Sequence, residues 1–403
     1  MPSCDFSLDL AREARRRFDL IESAQQRYRP PQRFDGAEDL ADQLGVARGR
    51  RLVAEQGLWR GRQRAGDGDP LLLAAGKFTG RVVGPAAEAD GFQRIHGAVR
   101  NEPKPKRIVF AEGEEPSVIR AAYAFKSQGL GEPILVGRED QVSQNMRTLG
   151  VPDNELLIIN ARMSERNQEY LDYLYARLQR HGYLQRDVQR RVNNDRNVFA
   201  ACMVALGHAD GMITGVTRNF ATSFEEISLA IDRSKDARAI GATIVIGRTG
   251  PMLIADTGVT EMPDANDLAD IGLSAARTAK KLGFVPRVAF LSFSTFGNPQ
   301  GERMEKVRDA VAILDGRKDI DFEYEGEMAV DVALNPEAQK LYPFSRLSGP
   351  ANVLVMPAVH SAAISTKIAA VLGGATVIGP LLDGLDKSVQ IAPLDAKVQE
   401  IVN

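Results

Sequence analysis

Cysteine is nearly absent: Cys4 and Cys202 are the only two in 403 residues. Two thiols build neither a disulfide scaffold nor a four-ligand zinc centre, so a reducing cytoplasm is the expected compartment. No run of about 18 apolar residues occurs, so no helix is expected to span a bilayer. The opening Met1-Pro2-Ser3-Cys4-Asp5 lacks the basic-then-apolar order of a signal peptide. Net charge is only −2, which leaves no global basic field to draw in nucleic acid or a membrane surface. Nucleotide signatures are missing as well. There is no GxxxxGK[ST] loop and no GxGxxG after a strand, and Gly66-Asp67-Gly68 runs into Pro70 and Leu71 instead of a third glycine. The four histidines, His96, His181, His208 and His360, form neither HxxxH nor HExxH, so no metal site is expected. His360 alone stays a ligand candidate, because it follows a buried strand where ligands collect in α/β sheets.

What is present is ordinary globular material, 44% apolar and 26% charged. The chain changes character near residue 101. Residues 1–100 carry 17 basic side chains, 16 of them arginine, against 14 acidic ones, whereas the remainder carries 34 and 39. The first stretch shows no sustained period of 3.6 or 2 beyond a weak helical pattern over Leu8–Gln26. It reads as an atypical, partly disordered extension over 1–103; as a nucleic-acid arm it lacks interleaved aromatics, and its acids nearly cancel its charge.

From Lys106 the texture is regular. Apolar runs at Arg107–Ala111, Ile134–Gly137, Leu156–Ile159, Gly211–Thr214, Thr243–Ile246, Met252–Ala255, Arg287–Leu291, Asn352–Met356 and Thr376–Ile378 predict strands. Helices are predicted from Pro116 to Lys126 and over Glu165–Gln179, Arg186–Leu206, Asp267–Leu282, Gln300–Leu314 and Ala362–Leu372. Apolar strands alternating with helices predict an α/β fold with mainly parallel sheets, covered on both faces.

Three turns after strands are candidate ligand sites. Ser292-Phe293-Ser294-Thr295-Phe296-Gly297 offers hydroxyls and amides for phosphate oxygens, or simple helix capping. Thr214-Gly215-Val216-Thr217-Arg218-Asn219 offers Arg218, and Ile378-Gly379-Pro380-Leu381 offers a glycine that admits close approach. Asp256-Thr257-Gly258 has the aspartic-protease triplet, but Leu382-Asp383-Gly384 cannot supply its second copy.

Taken together, these segments resemble the phosphate acetyl/butyryltransferase family from about Lys106 to Asn403. Phe110-Ala111-Glu112-Gly113-Glu114 resembles its first strand and turn, and Asp210-Gly211-Met212-Ile213-Thr214-Gly215 its "DG-hydrophobic-SG" strand. Ala255-Asp256-Thr257-Gly258 through Met262-Pro263 resembles "ADSG…MP", which disposes of the protease reading. Phe290-Leu291-Ser292-Phe293-Ser294-Thr295 resembles "MLSYST", and Gly349-Pro350-Ala351-Asn352-Val353-Leu354 resembles "GKANVLIFP". The resemblance implies a two-lobed α/β/α fold of the phosphotransacetylase and isocitrate/isopropylmalate dehydrogenase kind. The expected domains are 104–240 plus 376–403 as one lobe and 241–375 as the other, meeting over a coenzyme A cleft.

Family members that transfer acetyl groups carry a Ser-Arg pair in "KPVNDLSRG" and an arginine in "TLRPA". Here the chain after Lys387 reads Ser388-Val389-Gln390-Ile391-Ala392-Pro393-Leu394-Asp395, with no Ser-Arg pair; Ser223-Phe224-Glu225-Glu226-Ile227 stands where "TLRPA" belongs, and "GNIGYK" becomes Ala362-Ala363-Ile364-Ser365-Thr366-Lys367. An acid now stands where phosphate should be met by an arginine. Thr217-Arg218-Asn219, Val359-His360-Ser361 and Gly379-Pro380 through Lys387 resemble the carboxyl-terminal phosphotransacetylase-like module of bacterial NADP-dependent malic enzymes. That resemblance implies acetyl-CoA sensing and homo-oligomeric assembly, in partnership with a malic enzyme catalytic domain. Residues 1–100 show neither the dinucleotide turn nor the metal set of such a domain. The alternative is an active phosphate acetyltransferase, moving acetyl between coenzyme A and phosphate with Asp256 as its carboxylate. On either reading the expected coenzyme A or acetyl-CoA contacts are Thr214, Gly215, Arg218, Ser294, Thr295, His360, Lys367, Gly379 and Pro380.

Overall fold

A computed structural model describes residues 104–247, 250–301 and 305–402; the extension expected over 1–103 lies outside them. The first lobe runs β1 (Arg107–Phe110), α1 (Pro116–Ser127), β2 (Glu132–Val136), α2 (Glu139–Leu149), β3 (Leu157–Ile159), α3 (Asn167–Leu178), α4 (Gln185–Asn194), α5 (Arg196–Ala205), β4 (Gly211–Thr214) and α6 (Phe220–Ser228). The second runs β5 (Ile240–Gly247), β6 (Gly250–Ala255), α7 (Ala265–Lys281), β7 (Arg287–Leu291), α8 (Glu305–Asp315), β8 (Glu323–Met328), α9 (Val330–Leu334), α10 (Pro336–Gln339), β9 (Val353–Val355), α11 (Val359–Val371) and β10 (Thr376–Asp383). The chain then returns to the first lobe as β11 (Ser388–Ile391) and α12 (Val398–Val402).

The first sheet has the order β11-β4-β1-β2-β3, and every pairing in it is parallel. Alternation along the strands sends Val109, Ile134 and Met212 into a core under α3 to α6. Phe110 and Leu135 point the other way, into a core under α1, α2 and α12. The second sheet, β10-β5-β6-β9-β7-β8, is parallel over β6, β9, β7 and β8, with β5 and β10 antiparallel at one side. Val288, Phe290 and Val353 meet α7 and α8 on one face, while Ala289, Leu291 and Leu354 share the opposite core with Ala362 of α11. The fold is thus α/β with mainly parallel sheets covered on both faces. No helix among the described residues is long and apolar enough to cross a membrane.

Two expectations change. The single helix read over Arg186–Leu206 is two, because Asp195 adopts an extended backbone (φ −104°, ψ 108°) and its carboxylate caps α5 through the Asn197 and Val198 amides. The strand read as Thr376–Ile378 runs on to Asp383. Its pairing with β5 shifts between Ile378 and Leu381 and then resumes, so Gly379-Pro380 is a bulge within the strand. Residues 376–383 therefore belong to the second sheet, and the second lobe extends past the expected boundary at 375. Strand β8 gave no apolar signal because it reads Glu-Tyr-Glu-Gly-Glu-Met; Glu325 is buried there with Arg346 as its partner.

Candidate functional site

The lobes touch where the turns after β4 and β6 meet. A Cβ added at Gly258 would stand 2.8 Å from the Phe220 ring, so the second lobe's turn lies directly on the first residue of α6. Asp256 organises that turn. It is 2% exposed, and its Oδ1 accepts from the amides of Gly241 (2.9 Å), Gly258 (2.9 Å) and Val259 (3.0 Å). Its Oδ2 accepts from the Thr260 amide at 2.6 Å. A carboxylate satisfied by four main-chain donors positions backbone; it does not face an open cleft as a base would. Gly379 and Pro380 join this cluster from β10. Gly379 has φ +124°, and a Cβ there would meet the Ala242 carbonyl at 2.9 Å; Pro380 lies against Gly241. The glycine's role at this point is close strand approach. Thr257 donates to the Gly241 carbonyl at 2.8 Å and lies 2.8 Å from the Thr243 hydroxyl.

A second cluster stands at the carboxyl end of β4. Thr214 is buried and donates to Asn197 Oδ1; Asn197 Nδ2 donates to Glu226 Oε2 at 2.7 Å. Arg218 Nη1 donates to Glu226 Oε1 and to both oxygens of Asp195, at 3.0 and 3.2 Å. Burial opposes the guanidinium's charge, but Glu226 and Asp195 outweigh it and hold the Arg218 pKa above its ordinary value. The cation expected to meet phosphate is therefore held between two carboxylates, and one of them, Glu226, lies in the segment that stands in place of "TLRPA". Gly215 has φ +112°, and a Cβ there would stand 2.3 Å from the Ala392 carbonyl, so glycine is required by the strand β11 alongside. Glu112, buried after β1, fixes the same turn by accepting from the Val216 and Thr217 amides at 2.7 and 2.9 Å.

Ser294 and Thr295 form a third group, after β7, and both hydroxyls point inward. Ser294 Oγ donates to buried Glu327 at 2.7 Å, and Thr295 Oγ1 accepts from the Ala329 amide at 3.0 Å. They hold their own loop. His360 and Lys367 are exposed on α11, seven residues apart and hence on one face. The structure thus brings Asp256, Gly379 and Pro380 together, and separately Thr214, Gly215 and Arg218. It leaves the other four residues outside both groups. Asp195, Asn197, Glu112 and Glu327 were not singled out as site residues. The sequence signal available for Glu112 was its place after an apolar strand, in Ala111-Glu112-Gly113; Glu327 lies inside β8, which carried no such signal.

Cys202 is a buried free thiol, and burial pushes its pKa up to about 12, so it is neutral and no nucleophile. Among the described residues no group of three His, Cys, Asp or Glu side chains is placed to hold a metal.

Two parallel-sheet lobes joined at strand-end turns define a fold of the phosphotransacetylase class. The comparisons agree: residues 92–403 match the phosphate acetyl/butaryl transferase model, and the chain belongs to that family. It is 56% identical over 317 residues to an NADP-dependent malic enzyme of Rhizobium meliloti, an alignment spanning 78% of this chain and 41% of that protein. It is 31% identical over 307 residues to the phosphate acetyltransferase of Clostridium acetobutylicum, covering 74% of this chain and 92% of the relative. A phosphotransacetylase structure from Streptococcus pyogenes superposes with a TM-score of 0.70 at 31% identity, covering 77% of this chain and 95% of that one. The chain therefore spans about 40% of the length of the malic enzymes it matches.

Proposed function

We propose that this chain acts as a phosphotransacetylase-like module of malic-enzyme type in the cytoplasm, binding acetyl-CoA for allosteric regulation and homo-oligomeric assembly without transferring acetyl groups. The observation that carries the reading is the Asp195–Arg218–Glu226 clamp. Acetyl transfer to or from phosphate needs uncompensated cations to neutralise the phosphate and a donor for the developing oxyanion. Here one guanidinium is matched by two carboxylates, so the cluster carries a net charge of −1 and opposes a phosphate dianion. The stretch from Lys387 to Asp395, where family members carry the Ser-Arg pair, begins as β11 and continues through Ala392-Pro393-Leu394 without that pair, and its Gln390 side chain bonds the Leu382 main chain at 2.9 and 3.0 Å.

Identities of 56% and 45% with two NADP-dependent malic enzymes, against 31% with the Clostridium acetobutylicum phosphate acetyltransferase, support the choice of type. The assembly half of the reading is supported by α11, whose outer face leaves Ile364, Ile368, Val371 and the following Leu372 exposed in one row. Calorimetric titration with acetyl-CoA tests the reading. Saturable binding with no thioester formed from acetyl phosphate is the expected result. Absence of acetyl-CoA binding by folded protein would remove it, and turnover would make the chain an active phosphate acetyltransferase.

A further inference from the structure

Beyond the ends of β7 and β8 lies an aromatic platform that none of the roles above employs. The Phe296 ring centroid is 5.2 Å from that of Tyr342 and 4.8 Å from that of Phe344, and the last two are 6.1 Å apart. The rings are inclined to one another by 54–82°, and Phe344, 63% exposed, presents its ring to solvent at the edge of the cluster. Phe296 is held in an unfavourable backbone conformation to build it. Its φ of +49° is the one positive value at a non-glycine residue among the described residues, a left-handed conformation that side chains other than glycine disfavour.

The loop around it is pinned from below by a buried glutamate. Phe296 donates its amide to the Glu327 carbonyl at 2.9 Å, and the Glu327 carboxylate takes Ser294 Oγ at 2.7 Å and the Gly297 amide at 2.9 Å. A cation stands at the same place. Arg308 Nε lies 3.3 Å from the second Glu327 oxygen, which has no well-formed hydrogen bond, and the Arg308 side chain is 43% exposed. Its Nη1 lies 3.5 Å from where a Cβ on Gly297 would stand, one residue from the platform.

An exposed Phe344 ring braced edge-to-face by Phe296 and Tyr342, beside a half-exposed guanidinium and outside the carboxyl ends of parallel strands, fits a planar heteroaromatic ring bearing a phosphate. We propose that Phe296, Tyr342, Phe344 and Arg308 receive the adenine nucleotide end of coenzyme A, with the base on the rings and a phosphate at Arg308. The assignment rests on the acetyl-CoA reading above, and it says which end of the ligand the second lobe holds. The rings contribute stacking; Glu327 and Ser294 act only by positioning.

The test uses adenosine 3′,5′-bisphosphate and coenzyme A as probes, titrated calorimetrically into the full chain and its variants. Phe344→Ala removes the exposed ring and should weaken the bisphosphate about tenfold, as expected for loss of one base-stacking partner. Phe344→Trp should retain affinity, which separates loss of stacking from loss of fold. If the bisphosphate fails to bind wild-type protein, or binds Phe344→Ala equally well, the inference is overturned. A dimer lost in Phe344→Ala with no change in nucleotide affinity would also overturn it. Coenzyme A binding alike to wild type and Phe344→Ala removes this inference but leaves the acetyl-CoA reading intact. Absence of coenzyme A binding alongside ring-dependent bisphosphate binding does the reverse.

Discussion

Asp256 directs both carboxylate oxygens to main-chain amides, one at the start of β5 and three in the turn after β6. Replacing it by asparagine keeps the shape but turns one acceptor into a donor facing the Thr260 amide. The expected cost is about 3 kcal/mol in urea unfolding, since a charged acceptor is lost and buried amides go unpaired. A catalytic base would instead show lost activity with stability unchanged. Asp383 makes a further residue-level case. Burial works to raise its pKa, but Lys281, Thr278 and the Gly384 amide together lower it below the ordinary carboxylate value. A carboxylate with a depressed folded pKa stabilises above its unfolded pKa, and that stability is lost as pH falls through the folded value. Asp383→Asn is therefore expected to cost about 1 kcal/mol at neutral pH, allowing for solvent screening. It should also flatten the fall in stability measured by denaturant unfolding below about pH 4.

Helices and strands were legible in the sequence where burial is two-sided and unlegible where polar residues carry the element. Arg287–Leu291 could be bounded from its apolar run because all but its first residue is buried. Strand β8 could not, since its glutamates are buried by ion pairing and loop bonding that no periodicity reveals. The break at Asp195 was hidden for a related reason: aspartate within a helical pattern reads as surface until its carboxylate is seen capping the next helix. The same limit applied to the candidate site. Its strand-end turns were found, but the direction of each side chain depends on partners far along the chain, as with Arg218 and Asp195 or Ser294 and Glu327. Helix α11 carries its own prediction. A doubly charged Ile368→Glu, Leu372→Glu variant should sediment as a smaller species than wild type while keeping native circular dichroism, because both side chains are exposed in the single chain. An unchanged sedimentation coefficient would exclude this face from assembly.

Across the molecule, the family framework is retained while the charge at its centre is altered. Both mainly parallel sheets, the Asp256 turn and the Glu112 anchor stand where they hold the lobes and their strand-end turns. The Arg218 guanidinium, by contrast, is matched by Asp195 and Glu226. The most direct measurement is coenzyme A-dependent turnover of acetyl phosphate by the purified, folded chain, followed as thioester formation. The account predicts no turnover at protein concentrations where acetyl-CoA binding is saturable. Saturable turnover, lost on changing Arg218 in protein that remains folded, would contradict it and identify an acyltransferase whose phosphate site departs from the family's Ser-Arg pair.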